Sequence, residues 1–142
     1  MIAVIPGHSA SHRGAVAVDG VQEYEWQHVL ACQVVDRVPE ARLYERPTGP
    51  YREAMAQLVA QLTRDNAALV VELHFDVLTT AKARGSTALH WPGSVMGEQW
   101  ARRLSAAAAA AVGTRDRGAR GERVSWAGAP FWILRSTKCP AV

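Results

Sequence analysis

The sequence predicts a single α/β domain in which a mostly parallel or mixed sheet is flanked by helices. Three observations lead there. Short apolar runs alternate with longer segments whose apolar residues recur at three- and four-residue intervals. The strongest run, centred on Leu69-Val70-Val71, is too continuous for a strand with one face in water. At 142 residues the chain suits one domain, residues 1–142, with a core of its own.

The elements follow in order. Ile2 to Ile5 is the first strand, broken by Pro6-Gly7. Asp19 with Gln22 three residues on resembles a capping box and opens a helix running to about Val35. Trp26, Leu30 and Val34 fall on one face of that helix, and Pro39 lies beyond its end. Arg42 to Glu45 is a weaker strand. Pro50 suits the first turn of a second helix, whose apolar stripe is Met55, Leu58, Val59 and Leu62. Ala67 to Phe75 is a buried strand, and Ser86 to Trp91 another, closed by Pro92-Gly93. A third helix covers Glu98 to about Val112, includes six consecutive alanines, and is capped by Gly113. The Arg- and Gly-rich stretch from Arg115 to Arg120 reads as a solvated loop, and Phe131 to Leu134 as a last strand.

Composition excludes several classes. With 49% hydrophobic and 20% charged residues the chain is an ordinary globular protein, not a disordered one. A formal charge of +3 is compatible with anionic partners, yet too small and scattered to predict a nucleic-acid partner. No apolar run approaches the roughly 20 residues that span a bilayer, so no membrane span is expected. The first residues lack a basic segment followed by a long apolar one, which predicts no signal peptide and a cytoplasmic start. Cys32 and Cys139 have no CxxC spacing and read as buried free thiols. A monomer is expected.

Ligands of an α/β sheet bind beyond the carboxyl ends of its strands, which singles out two histidines. His8, in Pro6-Gly7-His8-Ser9, sits on a tight turn directly after the first strand, although a lone histidine there is more often structural. His74 ends the most hydrophobic strand, where a buried polar group must find a partner. Glu72 points to the same side by the two-residue period, and a satisfied Glu–His pair is the plain alternative. Glu23 lies in the first turn of the first helix, where the helix dipole alone favours an acid; Glu25 and His28 are nearby alternatives. Two imidazoles and one carboxylate, with a fourth position open, match the donor set of hydrolytic zinc sites. There is no HExxH.

The order of these features resembles the zinc-dependent N-acetylmuramoyl-L-alanine amidases, the family of bacterial wall amidases and many phage endolysins. The matching pieces are Pro6-Gly7-His8-Ser9, Gly20-Val21-Gln22-Glu23 and Val70-Val71-Glu72-Leu73-His74-Phe75-Asp76. Gly85-Ser86-Thr87, Arg117-Gly118 and the segment from Ile133 to Val142 follow in the family's order. The resemblance implies a phosphorylase/hydrolase-like fold, a Zn2+ cofactor on His8, Glu23 and His74, and peptidoglycan as partner. The reaction implied is hydrolysis of the amide joining the lactyl group of N-acetylmuramic acid to L-alanine of the stem peptide. Arg135 and Thr137, read as ending a strand near the expected site, are candidates for substrate contact, with a plain surface arginine as the alternative for the former.

Two departures qualify the resemblance. The family's catalytic glutamate is expected on a further strand beyond Val142, so Glu72 is the internal stand-in as general base, with orientation of His74 as its other role. Asp76 occupies a position where asparagine is common. Trp91, Trp126 and Trp132 are candidates for a glycan groove, although Trp132 within a strand is more often core. Besides the amidase, a zinc-holding relative that binds peptidoglycan without cleaving it and a zinc peptidase on the same fold remain as readings.

Overall fold

Ile2–Pro6 forms β1, the middle strand of a three-stranded parallel sheet. Its neighbours are β2 (Ala41–Leu43) and β3 (Leu69–Leu73), in the order β2-β1-β3. Ile2 pairs with both Ala41 and Leu69, and Pro6 pairs with Leu73. Hydrogen-bonded on both edges, β1 keeps Ala3, Val4 and Ile5 at no more than 2% exposure. Burial on both faces is why its sequence shows no alternation. The structure is a computed structural model and describes residues 1–75, 84–125, 128–129 and 131–142. Asp76 and Trp126 lie outside the described residues.

The first of two units comprises Met1–Val77 with Thr137–Cys139. Here α1 (Glu23–Arg37) packs Ala31 against Val4 and Ala41, with Val34, Val35 and Val38 around them. The expected inward stripe of Trp26, Leu30 and Val34 is off by one position. Glu23, Gln27 and Ala31 are the buried residues, and Trp26 is 49% exposed. Two of those three inward positions are polar, so hydrophobic periodicity misplaced Trp26, while Leu30 and Val34 are half-buried and Val34 packs against the core. The expected capping box is also absent. Gln22 is the N-cap and makes no side-chain cap, while Asp19 Oδ1 accepts a hydrogen bond from the Val21 N–H at 3.2 Å in the preceding turn. The second helix, α2 (Tyr51–Arg64), has Pro50 as N-cap and buries Ala54, Met55, Leu58 and Leu62, close to the expected stripe.

The second unit comprises Leu78–Ser136 with Pro140–Val142. In it β4 (Ser86–His90) pairs in parallel with β5 (Asp116–Gly121), and α3 (Val95–Ala111) packs against both. The helix starts three residues before Glu98 because Ser94 caps it, accepting the Gly97 N–H at 3.1 Å. Gly113, at φ 63, ends it in the left-handed region as expected.

Two expectations are corrected. The Arg/Gly stretch is the strand β5 rather than a loop. Its backbone pairing to β4 does not depend on side-chain propensity, and Ser105 of α3 donates to Asp116 at the strand's start. Phe131 to Leu134 is not a strand; it runs into a short helix, α4 (Trp132–Ser136), closed by the Arg135 N–H on the Phe131 carbonyl at 3.1 Å. A short apolar run fits either state by composition, and only Ile133 of α4 is buried. Among the described residues no helix is long and apolar enough to cross a membrane.

Leu58, fully buried in α2, gives a test of this core. Leu58→Ala is expected to lower the unfolding free energy by about 2–5 kcal/mol in urea titrations. Val18→Ser, at a position 98% exposed, should stay within about 0.5 kcal/mol of the parent.

Candidate metal centre

Pro6 and Leu73 are register partners at the carboxyl ends of two adjacent parallel strands, so the residues just beyond them emerge side by side. The Gly7 N–H donates to the Leu73 carbonyl at 2.7 Å, extending the ladder one step further. His8 then leaves the strand at φ 70, a left-handed conformation that costs a non-glycine residue roughly 1–3 kcal/mol. The turn brings its ring to that of His74, with centroids 5.2 Å apart and planes nearly perpendicular at 78°.

Glu23 completes the cluster from the first residue of α1. Its carboxylate is 3% exposed and divided evenly between two sets of partners. Oε1 accepts the Phe75 N–H at 3.1 Å and lies 2.9 Å from Nδ1 of His74. Oε2 accepts the Ala15 N–H at 3.0 Å and lies 3.1 Å from Nε2 of His8. The loop before the helix fixes this carboxylate from both ends, because the Glu23 N–H also donates to the Ala15 carbonyl at 2.9 Å.

Two glycines make the approach possible. A Cβ on Gly14, which sits at φ +77, would meet Oε2 of Glu23 at 2.6 Å and Nε2 of His8 at 2.7 Å. One on Gly7 would meet Nδ1 of His74 at 2.6 Å. Neither glycine was singled out in the sequence as a site residue. The signal for Gly14 is its position between Arg13 and Ala15, whose carbonyl and amide groups both bond the start of α1.

The charges follow from this packing. Burial alone would push the Glu23 carboxyl up, but hydrogen bonds from His74, His8 and Ala15 outweigh it and hold the carboxyl far below its usual range. Burial likewise works against a charged His74. Its contacts with Glu23 and Glu72 prevail and raise it to about 10. Without a metal, the cluster is therefore an ionised carboxylate against an imidazolium.

The donor set suits a divalent ion. One ligand atom from each of His8, Glu23 and His74 lies within 4.8 Å of the others. Nitrogen and oxygen ligands at about 2.0–2.2 Å from a tetrahedral ion stand at comparable separations. Glu72 borders the cluster with Oε1 3.7 Å from Nε2 of His74, too long for a hydrogen bond but close enough to act on its charge.

The other sequence candidates have partners of their own. Glu25 is exposed and paired with Arg13 at 2.7 Å, and His28 pairs with Glu45 at 3.1 Å, so neither reaches the cluster. Thr137 is also not brought to it. It stands beside Leu62, Asn66 and Ala67, next to the amino ends of β1 and β3, where the Ala68 N–H bonds the Met1 carbonyl. Arg135 belongs to the second unit, its guanidinium 5.0 Å from the Trp132 ring centroid. Trp91, in the same unit, carries Arg123 at 5.2 Å. Cys32 and Cys139 are free and half-buried.

The sequence model for N-acetylmuramoyl-L-alanine amidase matches residues 2–142. No curated protein matches. Among solved structures, the catalytic domain of the CD27L endolysin targeting Clostridia difficile is 22% identical with a TM-score of 0.79, over 99% of this chain and 77% of that one. The catalytic domain of CwlV, an N-acetylmuramoyl-L-alanine amidase from Bacillus (Paenibacillus) polymyxa var. colistinus, is 20% identical at TM-score 0.76, over 99% and 75%. The amidase AmiC2 of Nostoc punctiforme is 17% identical at TM-score 0.69, over 99% and 74%. At these identities the structural likeness carries the fold alone.

Three outcomes follow from the geometry. Gly14→Ala is expected to weaken divalent-metal binding by about 10–100-fold in calorimetric titrations, more than it weakens the fold. A metal ligand must be a neutral imidazole, so ion binding should release close to one proton at pH 8, below the raised value of about 10 for His74. In the metal-free protein the His74 contribution to stability is fully present below its ordinary value near 6.5 and is lost as pH rises through about 10. That of Glu23 is present above its ordinary 4.5 and is lost as pH falls through its lowered value. Unfolding followed against pH in chelator checks both limbs.

Proposed function

The chain belongs to the N-acetylmuramoyl-L-alanine amidase family, and we propose that it uses zinc held by His8, Glu23 and His74 to hydrolyse peptidoglycan. The bond cut is the amide between the lactyl group of N-acetylmuramic acid and L-alanine of the stem peptide. The observation that supports this most is the buried Glu23 carboxylate between two imidazoles at 2.9 and 3.1 Å, beyond the ends of β1 and β3. A structural ion pair needs one partner; two histidines converging on one buried acid make a donor set.

Bound there, zinc supplies Lewis acidity, lowering the pKa of water to about 7 and polarising a carbonyl. The chain's own residues prepare the place. Ala15 and Phe75 amides hold Glu23 so that one carboxylate serves both histidines. His8 and His74 must be neutral to act as ligands, and the proton that His74 carries without metal leaves on loading. Glu72, with Oε1 3.7 Å from the second ring nitrogen of His74, orients that ring through its charge. It serves as a positioning residue in this reading rather than as the general base. An endolysin role belongs to the same proposal as an extension of the amidase reading, and the likeness to the CD27L catalytic domain bears on its fold alone.

Digestion of purified sacculi with zinc, followed by mass spectrometry, tests the reaction. Stem peptides beginning with L-alanine and peptide-free glycan are expected from the parent chain, and neither from His74→Ala. Binding to sacculi without release of peptide would replace hydrolysis by recognition alone. Cleavage within the stem peptide would indicate a zinc peptidase.

Glu72→Gln separates the two roles of that residue. Orientation predicts a loss of about tenfold or more in zinc affinity, with kcat at saturating zinc changed by less than tenfold. A kcat loss of about 100-fold or more at unchanged zinc affinity would assign Glu72 as the base.

A further inference from the structure

We propose that Arg46 forms an anion subsite beside the metal centre and takes a carboxylate of the substrate's peptide. The inference rests on the amidase reading. It starts from the sheet order β2-β1-β3, which aligns three carboxyl ends. Arg46 follows the end of β2, His8 and Ser9 that of β1, and His74 that of β3. All three therefore stand along the edge where open α/β sheets bind ligands.

Arg46 is tied to the cluster from two sides. Its Nη2 donates to Ser9 Oγ at 3.1 Å, and Ser9, 4% exposed, is the residue after His8. Its guanidinium also lies 5.4 Å from the centroid of the Tyr51 ring. Burial, and then the negative charge of Glu72, raise the Tyr51 hydroxyl, while the charge of Arg46 opposes them. Glu72 in turn borders His74 at 3.7 Å. Tyr51 thus lies in the field of both Arg46 and the acid beside the metal ligands.

The guanidinium is held but not neutralised. Among the described residues no carboxylate pairs with Arg46. Even its neighbour Glu45 turns away, accepting from Tyr24 at 2.8 Å and meeting His28 at 3.1 Å. Ser9 takes one N–H of a group with five, and the remaining fork suits a carboxylate. Contact with Ser9 and with the Tyr51 ring fixes the plane of the fork in advance, so less freedom is lost on binding. Of the two halves of the substrate, the stem peptide is the one that offers carboxylates.

The test compares two soluble N-acetylmuramoyl dipeptides that differ only in the second residue, a free carboxylate in one and its carboxamide in the other. The zinc-loaded parent is expected to favour the carboxylate by about 10–100-fold in kcat/KM, mostly through KM. Arg46→Ala should bring the ratio of the two kcat/KM values close to one, and Arg46→Lys should retain part of it. A structural defect would lower both substrates and leave the ratio intact. An unchanged ratio in Arg46→Ala, or no preference in the parent, would overturn the subsite. Should the parent cleave neither substrate, the amidase reading fails by itself. Calorimetry with the free L-alanyl dipeptide bearing the same carboxylate then decides the subsite. Binding lost in Arg46→Ala supports it, and equal binding overturns it.

Discussion

A single buried carboxylate governs this structure. Glu23 is 3% exposed, yet each of its oxygens meets one backbone N–H and one imidazole. An ionised acid so far from water is tolerable only because it is fully paired; removing one partner would leave an uncompensated charge at a cost of several kcal/mol. The four partners come from three separate segments, so the carboxylate fastens the loop before α1, the turn after β1 and the end of β3 to one point. Folding and site assembly are in that sense one event.

The local strain makes sense in this light. His8 adopts a left-handed backbone, and Gly7 and Gly14 bring main chain so close to the imidazoles that no side chain fits. None of these features helps a fold that merely needs to be stable. Each shortens the distance between groups that would otherwise stay apart in water. The parallel sheet supplies the rigid frame, since β1 is locked on both edges and cannot shift register without exposing its apolar faces.

Much of this was legible in the sequence. His8 and His74 stood out because each follows an apolar run at a strand's carboxyl end, the edge where α/β sheets bind ligands. The strands of the first unit were found for the same reason. Glu23 was harder to isolate, because an acid in the first turn of a helix has an ordinary electrostatic explanation. Its burial depends on Ala15 and Phe75, which are distant in sequence and contribute only backbone. The failures have physical causes too. The inward face of α1 is half polar, so Trp26 was placed inside while Gln27 is. The strand β5 carries arginines and glycines and owes its existence to the free edge of β4, which composition does not reveal. In α4 an apolar stretch closes a helical turn on itself. Arg46 escaped notice because nothing in its immediate sequence says that Ser9 lies against it.

The most direct test of the central claim is a zinc titration of chelator-treated protein, reading release of L-alanine-terminated peptides from sacculi at each addition. Activity should be absent at the start, rise in proportion to bound zinc and level off at one ion per chain, and Glu23→Gln should show neither tight zinc nor activity. Full activity before any zinc is added, or full activity and tight zinc in Glu23→Gln, would contradict the assignment of His8, Glu23 and His74 as the catalytic metal centre.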